Sequence, residues 1–256
     1  MQHGVVDFGG EGPGILLLHG LMGRASTWWS TAQWLRRYGR VVGLDARAHG
    51  RATRDKPWRT EVFADDAAAR IRELDLGPAI VIGHSMGGLH AWALAARHPE
   101  LVRAVVSEDM APDQRGKTVE VWRDWFAAWP VPFASLAAVR AFFGADRAEV
   151  GDYFIECFEE TADGYRLTAD LEDLYEIAGE WGEREYGSFV EAVRCPLLAI
   201  EAEHSAMPPG QIAEVARRAG DGRYFLAKGA GHVVHYETPE QYRGAVEAFV
   251  SEVLGR

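Results

Sequence analysis

The sequence predicts an α/β fold with a doubly wound, mostly parallel sheet, and two observations lead to that prediction. Short apolar runs bounded by Gly, Asp or Pro alternate along the chain with longer segments of helical spacing. Runs that are apolar at every position are typical of strands buried on both faces, and alternating strands and helices build a parallel sheet. A chain of 256 residues is long enough for one core with an insertion.

Six apolar runs are the predicted strands, and five segments with helical spacing are the predicted helices. The strands are expected at residues 15–18, 41–44, 80–82, 102–106, 197–200 and 224–226. The helices are expected at residues 27–37, 60–74, 86–97, 209–219 and 239–253. Residues 1–111 and 194–256 therefore form the predicted core domain.

The alternation of strands and helices stops between residues 112 and 193, a stretch rich in aromatic side chains in which we find no convincing strand. We predict that this stretch is a helical cap inserted into the core domain. Most of its aromatic side chains are expected to pack against one another. A few should face a ligand if the insertion covers a pocket, and Trp122, Trp125 and Trp129 are the candidates.

Charge and composition argue against several classes of function. The chain has 27 Lys and Arg against 38 Asp and Glu, a net charge of −11, which disfavours a nucleic-acid partner or an anionic membrane surface. Residues 1–7 lack the basic start and long apolar stretch of a secretory signal, so a cytoplasmic location is expected. The two cysteines match no metal or redox spacing. We expect a small-molecule substrate and make no prediction of the oligomeric state.

A candidate nucleophile lies at Ser85, within residues 83–88, which read Gly-His-Ser-Met-Gly-Gly. A Gly-x-Ser-x-Gly match alone is weak, because a glycine-rich turn can simply join a strand to a helix. Here an apolar strand precedes it and a strong helix-forming segment follows. Such a sharp turn needs small residues at Gly83 and Gly87, and it lifts the serine hydroxyl clear of the sheet. The N–H of Met86 is then placed to bind an oxyanion.

Two further segments extend this pattern into a family resemblance. Residues 16–23 read Leu-Leu-Leu-His-Gly-Leu-Met-Gly, and residues 45–50 read Asp-Ala-Arg-Ala-His-Gly. With the serine turn they resemble the α/β-hydrolase fold family, and in particular its small bacterial serine esterases. The resemblance implies that Leu21 donates the second oxyanion N–H and that His19 is a positioning residue. Ala48 stands where the family usually has glycine.

His232 is the candidate general base among nine histidines. It lies in the segment 231–240, which resembles the Gly-His-x-x-x-x-Glu-x-Pro-Glu ending of the family. A neutral imidazole there could take the proton of Ser85 and return one to the leaving group. His235, three residues on, could instead be a residue that packs the loop. The two histidines match no zinc motif, so we predict no metal site.

The family's third catalytic residue is an acid that orients the histidine, and at this position the sequence departs from the family pattern. The Gly-x-x-Asp expected in residues 198–208 is missing, and Glu203 is the nearest carboxylate there. A subset of the family carries the acid after its sixth strand instead, and residues 109–112, Asp-Met-Ala-Pro, resemble that turn. We therefore predict Asp109 as the acid, with Glu203 as the alternative and Glu108, or no acid, also open.

The resemblance implies a serine hydrolase, and we predict a carboxylesterase that cleaves a small apolar ester through an acyl-enzyme, without a cofactor. Cleavage of a lactone or a carbon–carbon bond, and perhydrolysis, use the same triad and stay open. A ligand-binding protein that kept the fold without catalysis is the alternative from another class.

Overall fold

The structure is a computed structural model that describes residues 4–116 and 119–256, so residues 1–3, 117 and 118 of the predicted domain ranges lie outside the described residues. Seven strands form the central sheet, and two more form a hairpin. The strands are β1 (Val5–Gly9), β2 (Gly14–Leu18), β3 (Arg40–Leu44), β4 (Ala79–His84), β5 (Val102–Glu108), β6 (Phe158–Thr161), β7 (Gly164–Leu167), β8 (Leu197–Ala202) and β9 (Gly222–Ala227).

The central sheet has the strand order β1-β3-β2-β4-β5-β8-β9. Strand β1 is antiparallel to β3, and every other neighbouring pair is parallel. The predicted fold class is confirmed, and each of the six predicted strands lies in this sheet. The edge strand β1 is an addition that the sequence analysis did not predict.

The helices of the described residues lie between these strands or after β9. They are α1 (Trp29–Leu35), α2 (Thr60–Glu73), α3 (Met86–Arg97), α4 (Val119–Ala127), α5 (Leu136–Phe143), α6 (Ala148–Ile155), α7 (Leu171–Glu183), α8 (Gly187–Ala192), α9 (Gln211–Arg218), α10 (Val234–Glu237) and α11 (Pro239–Leu254). Helices α4 to α8 lie between β5 and β8. The five predicted helices match α1, α2, α3, α9 and α11, although α1 is shorter than predicted because a 3-10 turn, Ala25–Trp28, precedes it. No helix in the described ranges is both long and apolar enough to cross a membrane.

Helices cover both faces of the sheet, which explains why its strands are apolar at every position. Along β2, Ile15 and Leu17 pack in the core formed with α1 and α11. Leu16 and Leu18 point to the opposite face and pack in the core formed with α2 and α3. All four side chains are buried.

The prediction that the segment between residues 112 and 193 lacks strands is wrong. Strands β6 and β7 form an antiparallel hairpin there, in which Thr161 pairs with Gly164 across a two-residue turn. Gly164 has a φ of 134°, a conformation that favours glycine, and it follows Asp163. The turn residues are Ala162 and Asp163, and Gly164 begins β7, so the Asp-Gly pair matches the usual two-residue hairpin signal only in part. The two runs are also only four residues long and carry few apolar residues.

Candidate active site

Ser85 lies at the sharp turn between β4 and α3, at the carboxyl edge of the sheet. Its φ of 51° and ψ of −120° are a strained conformation for a residue with a side chain. A Cβ on Gly83 would lie 2.2 Å from the carbonyl oxygen of Gly87, and a Cβ on Gly87 would lie 2.2 Å from the carbonyl oxygen of Leu18. The two glycines therefore permit the turn that presents the Ser85 hydroxyl to the cavity beside it.

Two backbone N–H groups are available near Ser85. Leu21 lines the same cavity as Ser85, and Met86 is the first residue of helix α3. Among the turns and loops of residues 4–116 and 119–256, no backbone carbonyl accepts a hydrogen bond from either N–H. Backbone donors beside a serine hydroxyl, one of them at a helix N-terminus, can stabilise an oxyanion.

The loop that carries Leu21 is held by two buried histidines. His19 donates from Nδ1 to the carbonyl of Gly20 at 2.8 Å and accepts at Nε2 from the N–H of Ala46 at 2.9 Å. Burial lowers the pKa of His19 to about 3, so its imidazole is neutral. The Nε2 atom of His49 contacts the carbonyl oxygen of Leu21. His19 thus has the positioning geometry that the resemblance implies, and His49 is a support that the sequence analysis missed.

His232 lies in the turn between β9 and α10 and faces the cavity of Ser85. Its Nδ1 atom lies 2.7 Å from Oδ2 of Asp109. The side chain of His232 is 30% exposed, whereas that of Asp109 is fully buried. A proton on Nδ1 that is donated to the carboxylate leaves Nε2 as the basic atom, which is the tautomer that a general base for Ser85 requires.

Asp109 directly follows β5 and is held by the end of β8. Its Oδ1 accepts the N–H of Ala202 at 2.9 Å, and its Oδ2 accepts the hydroxyl of Ser205 at 3.0 Å. The loop in which the resemblance would usually place the acid therefore supplies hydrogen bonds to Asp109. Glu203, the alternative, is exposed and accepts the N–H of Gly229 at 2.8 Å. The structure thus brings Asp109, and not Glu203, to His232.

A second carboxylate and imidazole pair lies beside the first. Nδ1 of His235 lies 2.8 Å from Oε1 of Glu108, and the same oxygen accepts the backbone N–H of His235. Both side chains are almost fully buried, and the ring of His235 stacks on Trp28 at 4.3 Å. Burial raises the pKa of Glu108, but its contacts with His235 are the main opposing cause, and the pKa lies below its usual value. The pair anchors to β5 the segment that carries His232 and His235.

His84, the residue before Ser85, has a role that the sequence analysis missed. Its Nε2–H donates to the carbonyl oxygen of His232 at 2.9 Å. Burial lowers the pKa of His84 to about 3, so the ring is neutral and the bond persists at neutral pH. This hydrogen bond joins the turn of Ser85 directly to the loop that carries His232. The histidine before the serine in the motif was the sequence signal that could have indicated this role.

The cavity beside Ser85 has a volume of about 500 Å³ and a largely aromatic wall. Two of the three candidate residues, Trp122 and Trp125, line it. The prediction for Trp129 is wrong, because its ring is buried behind the wall, against Trp125, Phe126 and Phe143. The remaining aromatic lining comes from Phe143, Tyr153, Phe154 and Trp181.

The sequence is similar to a known family and to characterised hydrolases. Residues 13–142 match the model of the α/β hydrolase fold family. The chain is 27% identical to 2-(acetamidomethylene)succinate hydrolase of Mesorhizobium japonicum, over 94% of this chain and 89% of the relative. It is 25% identical to sn-1-specific diacylglycerol lipase ABHD11 of Mus musculus, over 98% of this chain and 85% of the relative.

Solved structures with a similar fold include two hydrolases. A crystal structure of E-2-(acetamidomethylene)succinate hydrolase superposes with a TM-score of 0.85 at 25% identity, covering 96% of this chain and 94% of the other. The enol-lactonase of Burkholderia xenovorans LB400 superposes with a TM-score of 0.76 at 23% identity, over 96% and 95% of the two chains.

The fold and the serine turn define the class, and the match to the family model fixes it: the chain belongs to the α/β-hydrolase fold family. The predicted resemblance is therefore confirmed. The named relatives are hydrolases, which supports hydrolase activity for this chain.

Proposed function

We propose that this protein is a serine-dependent carboxylesterase that works through an acyl-enzyme. The observation that carries the proposal is the Asp109–His232 contact of 2.7 Å, because His232 and Ser85 line the same cavity. A carboxylate that fixes the tautomer of an imidazole beside a serine is the arrangement that activates a hydroxyl nucleophile.

The reaction would proceed in two halves. Ser85 attacks the ester carbonyl as its hydroxyl proton passes to Nε2 of His232, and the N–H groups of Leu21 and Met86 stabilise the oxyanion. The tetrahedral intermediate then collapses, and His232 returns the proton to the leaving alkoxide. Water repeats the sequence on the acyl-enzyme and releases the carboxylic acid. The Asp109 carboxylate orients His232 and stabilises the imidazolium in both halves.

The lining of the cavity favours an ester with apolar groups. Trp122, Trp125 and Trp181 come from the segment between residues 112 and 193, which we propose acts as a cap over the site. Their rings bury apolar area and keep water away from the reacting bond. Among the relatives, the lipase is named for a diacylglycerol, which is an ester, whereas the hydrolase is named for a succinate derivative.

A panel of p-nitrophenyl esters of increasing acyl length tests the proposal with wild type and the Ser85→Ala variant. We expect the wild type to turn over short and medium esters, because a cavity of about 500 Å³ admits them. Ser85→Ala should lower kcat by a factor of about 1,000 or more, because it removes the nucleophile.

Circular dichroism of both proteins provides the control for folding. If no ester is turned over in a serine-dependent manner, the esterase proposal is wrong.

A further inference from the structure

Glu237 holds the loop of the general base from both sides. Its Oε2 accepts the N–H of Gly231 at 2.9 Å, and its Oε1 accepts the N–H of Val233 at 3.0 Å. These two residues flank His232. The Glu237 side chain is only 3% exposed, so its carboxylate is fixed in place by the loop that it holds.

Arg147 brings a positive charge to this carboxylate from the segment between β5 and β8. Its Nη1 lies 2.7 Å from Oε2 of Glu237 and 2.6 Å from the carbonyl oxygen of Gly229. Arg147 and Glu237 both line the cavity of Ser85. Because Glu237 is held by Gly231 and Val233, it cannot turn away and leave Arg147 free.

The contact between Arg147 and Glu237 determines the net charge of the cavity wall near a bound substrate. Of the described residues that line the cavity, Arg147 is the one Lys or Arg, and Asp146 and Glu237 are acidic. A substrate carboxylate would have to share the Arg147 guanidinium with Glu237, with Asp146 beside it. Like charges at such separations repel each other, and solvent screens the exposed Asp146 more than Glu237, whose side chain is 3% exposed. The net charge of −11 over the whole chain acts in the same direction.

We infer that the Arg147–Glu237 pair makes the site select substrates whose acyl or alcohol group is uncharged, and reject those with a carboxylate in that group. The inference rests on the proposed function for its catalytic test. It assigns Glu237 a second role besides positioning, because the carboxylate that holds the His232 loop also neutralises the arginine in the cavity wall.

Two matched esters measure the selectivity. p-Nitrophenyl butyrate and mono-p-nitrophenyl succinate differ by a carboxylate in place of a terminal methyl group. We expect the wild type to favour the butyrate by about tenfold or more in kcat/KM, which corresponds to about 1.4 kcal/mol. The ratio of the two values is the readout, because a change in the position of His232 lowers both values together.

Two variants should move that ratio in opposite directions. Glu237→Gln removes the charge that neutralises Arg147, so the preference for butyrate should fall by about tenfold. Arg147→Gln removes the cation beside Glu237 and leaves its negative charge in the cavity wall, so the preference for butyrate should rise. Asp146→Asn, at an exposed position, is the matched control for loss of one acidic charge and should shift the ratio less than Glu237→Gln.

Dissociation constants of the same two esters for Ser85→Ala give the selectivity without turnover. Absence of serine-dependent turnover in the wild type would therefore reject the proposed function alone. A preference for the succinate ester in either measurement, or a shift of the ratio in the same direction by both charge variants, would overturn the inference.

Discussion

The pairs Asp109–His232 and Glu108–His235 differ in how far their histidines are exposed. Asp109 and Glu108 are adjacent in sequence and both fully buried, and each bonds Nδ1 of a histidine. The side chain of His232 is 30% exposed and faces the cavity, whereas that of His235 is 1% exposed. Only an imidazole that reaches the cavity can exchange a proton with substrate, which supports the proposal that His232 is the general base and that His235 has a structural role.

At the residue scale, the identity of the acid can be tested by two conservative substitutions. Asp109→Asn keeps the shape of the side chain but removes the charge that orients and stabilises His232, so kcat should fall by a factor of about 1,000 or more. Glu203→Gln should change kcat less than about twofold, because Glu203 is exposed and bonds the N–H of Gly229. Steady-state kinetics with p-nitrophenyl butyrate measures both. Loss of activity in Glu203→Gln alone would show that the assignment is wrong.

At the scale of elements, the sequence predicted the parallel strands and the serine turn well. Strands such as β4 are buried on both faces, so they are apolar throughout and stand out in the sequence. The turn at Ser85 was predictable because its glycines are demanded by close backbone contacts within the turn and with β2. The assignment of catalytic roles to Ser85, Asp109 and His232 stays a prediction.

Other elements could not be read from the sequence. Strands β1, β6 and β7 are four or five residues long and partly exposed, so they lack a continuous apolar run. Trp129 could not be separated from Trp122 and Trp125, because ring burial depends on how helices α4 to α7 pack. The Arg147–Glu237 contact joins residues 90 positions apart, which no local pattern indicates.

At the scale of the whole molecule, the burial of neutral imidazoles should make stability depend on pH. Burial lowers the pKa of His19 and of His84 to about 3. Their unfolded pKa is about 6.5, so the unfolded chain binds protons that the folded chain does not. Stability is therefore complete above about pH 6.5 and is lost as the pH falls from there towards the folded pKa.

Urea unfolding at two pH values measures this dependence. Between about pH 7.5 and pH 5.5, each of the two histidines should lower the free energy of unfolding by about 1 kcal/mol. His90, whose pKa burial also lowers, stacks on Phe63 at 4.3 Å and offers a matched variant. His90→Phe removes one such group, so the free energy of unfolding of this variant should change less between the two pH values than that of the wild type. An equal free energy of unfolding at both pH values would contradict the buried, neutral state of these rings.

The central claim, that Ser85 is an activated nucleophile, is tested most directly by covalent labelling with a fluorophosphonate. Intact-protein mass spectrometry should show one adduct per wild-type chain, peptide mapping should place it on Ser85, and Ser85→Ala should stay unlabelled. A folded wild type that remains unlabelled would contradict the claim and favour a ligand-binding protein without catalysis. Labelling that persists in Ser85→Ala would likewise show that the nucleophile is another residue.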